Sequence, residues 1–166
     1  MSFRLRRGAA IALPILTGIA VLGLVQGCSK DDPKDAGPGG NKGRLQDETH
    51  TAWAVDEDPA TGTPDLVVAL DPIPPIVVKG NYEAAARAWL DQHKDMYKLT
   101  DIKGQLITLD VILASDKTAH VRFQQREGGL RVERAIIAVH FRPDGSIGLV
   151  NATVAPDAAK AIGSPS

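Results

Sequence analysis

Four histidines (His50, His93, His120 and His140) and one cysteine, Cys28, are the side chains in this sequence best suited to hold a metal or attack a bond. A helical zinc-peptidase centre needs His-Glu-x-x-His, which places two imidazoles on one face with a glutamate base between them. No such run occurs. Neither a Gly-x-Ser-x-Gly elbow nor a phosphate loop is present; Gly128-Gly129 is too short to cradle phosphate and suits a hairpin instead. Asp56, Glu57 and Asp58 bring three carboxylates together without EF-hand spacing, as a solvated acidic turn would. His120 and His140 fall on strands that could pair and offer two imidazoles to a metal. The expectation is a hydrogen-bonding or surface role, with no metal, no cofactor and no catalytic residue in the chain. A single thiol excludes an intramolecular disulfide and a cysteine-built zinc site. With Lys+Arg 19 against Asp+Glu 20, nothing in the charge calls for a nucleic-acid partner.

The first residues carry a different chemistry. Arg4, Arg6 and Arg7 precede an uncharged run from Gly8 to Ser29 rich in Ala, Ile, Leu and Val, the layout of a secretory signal. The run is long enough for a membrane-spanning helix, a rival that Pro14, Gly18 and Gly23 weaken. Leu24-Val25-Gln26-Gly27-Cys28 resembles a bacterial lipobox. That resemblance implies cleavage between Gly27 and Cys28, diacylglycerol on the Cys28 sulfur, and a stable membrane anchor made of several acyl chains. The expected location is the cell envelope, lipid-anchored with the outer membrane favoured, or outside the cell. An uncleaved anchor or an ordinary signal is the plain alternative.

The remainder divides into segments of distinct composition. Residues 28–50 are expected to be a flexible tether, since Lys30 to Gly43 holds Asp, Lys, Pro and Gly with little to bury. Residues 51–80 hold a short strand, Thr51 to Asp56, then a turn from Asp58 to Pro64 and an extended crossing through Asp71-Pro72-Ile73-Pro74-Pro75. Residues 81–154 form the folded domain, and 155–166 a C-terminal linker. Asn81 is a good N-cap, and Tyr82, Ala85, Ala86, Trp89, Leu90, His93, Met96 and Tyr97 recur with a period of about 3.6 residues. They predict a helix from about Tyr82 to Lys98. Strands are expected at about Leu106–Leu113, Ala119–Arg126, Leu130–Phe141 and Ile147–Asn151. The third changes phase between Val132 and Ala135, which predicts a β-bulge near Glu133-Arg134. Arg142-Pro143-Asp144-Gly145 is a turn.

The run Arg122-Phe123-Gln124-Gln125, then Gly128, Gly129 and Val132, then Asp144-Gly145, resembles the FTP module, the fungalysin/thermolysin propeptide domain of secreted zinc metallopeptidases. The resemblance implies an α+β, cystatin-like fold: one helix packed on a curled antiparallel sheet of three to four strands. It also implies a non-catalytic pro-region that acts as chaperone and inhibitor of a zinc metallopeptidase catalytic domain, in cis or in trans. Three positions depart from the family pattern: Glu127 replaces an aromatic, Arg131 a proline and Arg134 a small residue. The segment from Pro156 to Ser166 reads as a linker, so the chain is either one piece of a longer precursor or a module on its own. The alternative function is a stand-alone envelope lipoprotein with a cystatin-like protein-binding domain.

Overall fold

Asn81 starts the central helix as its residue type predicts. Its side chain accepts from the Ala84 amide at 3.0 Å, and Glu83 sits in the first turn, where the helix dipole favours an acid. The computed structural model describes residues 40–162. The lipobox, with Gly27 and Cys28, lies outside the described residues. The order of elements is α1 (Gly40–Thr49), β1 (Trp53–Glu57), β2 (Pro64–Ala69), α2 (Tyr82–Gln92), α3 (Ile102–Gln105), β3 (Leu106–Leu113), β4 (Ala119–Glu127), β5 (Leu130–Phe141), β6 (Ile147–Thr153) and α4 (Ala158–Ile162). None of the described helices is long and apolar enough to cross a membrane.

The predicted helical stripe is present, but the helix is shorter than its periodicity suggests. It ends at His93, and a 3₁₀ turn over Lys94–Tyr97 follows, closed by Lys98 at a φ of 53°. The tighter turn still brings Met96 and Tyr97 into the core beside Ala86, Trp89 and Leu90.

All six strands join one antiparallel sheet in the order β1-β2-β6-β5-β4-β3, where three to four were expected. The additional strands come from the segment placed ahead of the domain. Trp53 pairs with Ala69 in the β1–β2 hairpin, and Val67 pairs with Val150, so β2 docks on the last strand. The run Leu66-Val67-Val68-Ala69 has the β-branched content of a strand, but its flanking prolines conceal it. Pro64 occupies the first position of β2, where a missing amide disturbs the ladder least. The sheet and its helices make an α+β architecture.

The expected tether also ends in structure. Helix α1 occupies Gly40–Thr49, and Leu45, its one apolar side chain, is fully buried. Thr49 Oγ1 accepts from the Trp53 indole at 2.7 Å, fixing α1 on β1. One leucine among polar residues gives no periodic stripe, so composition alone did not mark this helix.

His93 is where α1 meets the end of α2. Its ring lies 4.5 Å from Trp89, and its Nδ1 stands 3.3 Å from Glu48 Oε2 without forming a hydrogen bond. Burial pushes its pKa below the ordinary 6.5; Glu48 pulls it back up and Arg44 pushes it down. A depressed folded-state pKa means that the unfolded chain binds the extra proton first. The stabilisation is therefore complete above about pH 6.5 and is lost as pH falls towards the folded value. Urea titrations at about pH 7 and pH 5 should show an acid-induced loss of stability that His93→Gln reduces. An equal loss in the variant would remove His93 as the cause.

Candidate functional site

The motif run lies on the β4–β5 hairpin and the turn at its far end. Gly128 and Gly129 form the hairpin loop with φ of 54° and 84°, values that cost a residue with a Cβ more than glycine. Arg126 Nη2 donates to Gly129 O at 2.6 Å and closes the loop. At the opposite end of β5, Asp144 Oδ1 accepts from the Ser146 amide at 2.9 Å and from its hydroxyl at 2.7 Å. These bonds hold the carboxyl below the usual carboxylate range. Gly145, at a φ of 83°, passes so close to the proline-rich crossing that an added Cβ would lie 3.2 Å from Val77 Cβ. Its carbonyl accepts from the Ile76 amide at 3.2 Å, tying that crossing to the turn.

The motif residues Arg122, Phe123, Gln124 and Gln125 between these ends each bind another part of the module. Arg122 Nε donates to Asp110 Oδ1 at 2.9 Å, and a second nitrogen of the same guanidinium engages Oδ2, pinning β3 to β4. The Arg122 bonds hold the Asp110 carboxyl below its ordinary range. Phe123 is fully buried under the Arg87 guanidinium, which sits 4.9 Å from its ring centre and donates to Thr108 Oγ1.

The two glutamines divide the remaining work between the faces of the sheet. Arg126 pairs with Arg131 and Gln124 with Ile136, so one residue of β4 faces Val132 to Ala135 on β5, with Arg134 at a φ of 61°. The irregularity falls at the predicted position but is longer than the single extra residue expected. Gln124 Nε2 bridges it, donating to Val132 O at 2.6 Å and to Ala135 O at 2.9 Å. Gln125 is buried and pairs with Ala155 through both amide atoms: Nε2 donates to Ala155 O and Oε1 accepts from Ala155 N, each at 2.9 Å. The bulge carbonyls and the departing chain would otherwise lack these partners.

The motif residues therefore do not converge on one point. Gly128, Gly129 and Val132 lie at one end of the hairpin, and Asp144 and Gly145 at the other. Sequence reasoning did not find Arg87, Asp110 or Ala155, because each is defined by a contact distant along the chain. An open cleft of about 600 Å³ lies beside the hairpin tip, lined by Thr61, Lys98, Leu130, Val132, Ala155 and Pro156 among others. Lys98 Nζ donates to Thr61 O there. Its charged lining is Lys98, Arg131 and Asp157, and the Thr61 hydroxyl in that lining donates to Asp58 Oδ2 at 3.0 Å within its own turn. Among the described residues no group of three or more His, Cys, Asp or Glu side chains gathers to hold a metal. His120 and His140 do meet, directly opposite each other on β4 and β5.

Residues 105–154 match the family model of the Fungalysin/Thermolysin Propeptide Motif, FTP. The match takes in β3 to β6, with the hairpin and both of its turns, and leaves α2 and the β1–β2 hairpin outside. The FTP motif belongs to propeptides, not to catalytic domains. No match to a curated protein was found.

Proposed function

From the FTP motif carried by residues 105–154, we propose that this chain is the pro-region of a secreted or lipid-anchored fungalysin/thermolysin-like zinc metallopeptidase. It helps the catalytic domain fold and holds it inactive through a noncovalent interface. One observation carries this reading: the matched hairpin uses its polar motif residues to satisfy its own backbone and strands. Arg122 holds β3, Gln124 the bulge, Gln125 the departing chain and Asp144 the last turn. Such a module contributes a shaped surface, and the bond-breaking groups belong to its partner. In the same proposal Cys28 carries the lipid that keeps the module at the envelope.

The test is refolding of a fungalysin- or thermolysin-like catalytic domain encoded in the same genome, with and without the purified chain. Recovered activity should rise when the chain is present during refolding, and the folded enzyme should lose activity when the chain is added afterwards. If neither responds, the pro-region reading fails and a protein-binding lipoprotein with another partner takes its place.

A further inference from the structure

Across the solvent side of the sheet, Ala54, Val68, Leu149, His140, His120 and Ile112 form one continuous row, one residue from each strand. The two histidines are neighbours in the middle of it. Their Nδ1 atoms stand 2.6 Å apart, and the rings meet edge to face at 70° with centroids 4.7 Å apart. Each imidazole directs the same nitrogen at the same point in space. His140 Nε2 is buried with no hydrogen-bond partner, so Nδ1 is the nitrogen that His140 can offer to a ligand.

Two occupants suit such a point, a shared proton or a metal ion. We propose that His120 and His140 form a two-imidazole site for a divalent transition-metal ion of the zinc or copper class. The proposal is independent of the pro-region reading. Imidazole suits these ions, and strand pairing fixes the two backbones before any ion arrives. With zinc–nitrogen bonds of about 2.0–2.1 Å at a tetrahedral angle, the Nδ1 atoms would stand roughly 3.3 Å apart. The rings must therefore part by less than about 1 Å, a small side-chain rotation. Two protein ligands leave positions for water, so the ion would be exchangeable.

The surroundings favour a cation or leave it undisturbed. Arg122, on the next paired row, has its charge matched by Asp110. Asp116, in the β3–β4 turn, adds a negative charge near His120. Ligation through Nδ1 places the proton of the neutral His140 ring on Nε2, and a turn of the Asn151 side chain, which lies beside that ring, would supply its acceptor.

The purified full chain, stripped with chelator, is titrated with zinc chloride at neutral pH by calorimetry, and nitrogen NMR follows the imidazoles. One ion per chain should bind with a shift of both Nδ1 resonances. His120→Ala and His140→Ala should each weaken binding by about tenfold or more, while His50→Ala leaves it unchanged. Absence of saturable binding would overturn the proposal, as would binding that survives both substitutions. Should either alanine variant fail to fold, the wild-type spectrum decides. A single Nδ1–H···Nδ1 proton persisting in excess zinc assigns the pair to hydrogen bonding alone.

Discussion

Replacing Trp89 with alanine will lower the stability of the module by about 3–5 kcal/mol, the cost typical of emptying an aromatic site in a packed core. Trp89 is 6% exposed on the buried stripe of α2, with the His93 ring 4.5 Å and the Tyr97 ring 6.5 Å away. Ala85, Ala86 and Leu90 lie beside it on the same face, and small alanines have no side-chain length with which to refill the space. His93 would lose its aromatic neighbour at the junction where α1 docks. The measurement is chemical denaturation followed by circular dichroism, because the substitution removes a principal fluorophore. A loss below about 1 kcal/mol would show that α2 is not seated on the sheet as described.

Gln125→Met, close in shape but unable to hydrogen-bond as an amide, should cost about 1–3 kcal/mol. The change leaves the Ala155 amide without the partner it now holds at 2.9 Å, while the Ala155 carbonyl loses one of two donors and keeps the Ala158 amide at 3.2 Å. Leaving a polar group in the interior unpaired costs more than a typical net hydrogen bond contributes, and here the Ala155 amide is the group freed. Hydrogen exchange supplies a second readout, since protection of the Ala155 amide should collapse while that of β4 amides paired with β5 persists. If stability and Ala155 protection both match the wild type, water or another group already serves Ala155, and the clamp has no energetic role.

Helix α2 was legible because its apolar stripe and its cap agree, two independent signals pointing to one element. The four strands from Leu106 to Asn151 were legible through alternation and turn residues, and the phase change on β5 located its irregularity. Its length was not legible, because the amide that bridges it belongs to Gln124 on another strand. Strand β2 was missed because prolines on both sides resemble loop punctuation, and what makes it a strand is pairing with β6, more than eighty residues later. Helix α1 was missed because one buried leucine and a hydroxyl under the Trp53 indole hold it, and neither leaves a periodic trace. For the motif the residue types were visible but their roles were not. Glutamine announces a need for partners without saying where they lie. The pairing of His120 with His140 was conceivable from strand order, whereas the convergence of their Nδ1 atoms required the register.

The strand order constrains assembly on the ribosome. The β1–β2 hairpin leaves the exit tunnel early, yet its inner edge finds a neighbour only in β6, the last of these six strands to be synthesised. Until that strand emerges, Leu66, Val67 and Val68 have an open flank, and the nascent chain carries a two-stranded ribbon of marginal stability. Completion of the sheet is therefore delayed until translation of this segment is nearly finished, and the interval before it is when a holding chaperone would find the most to bind.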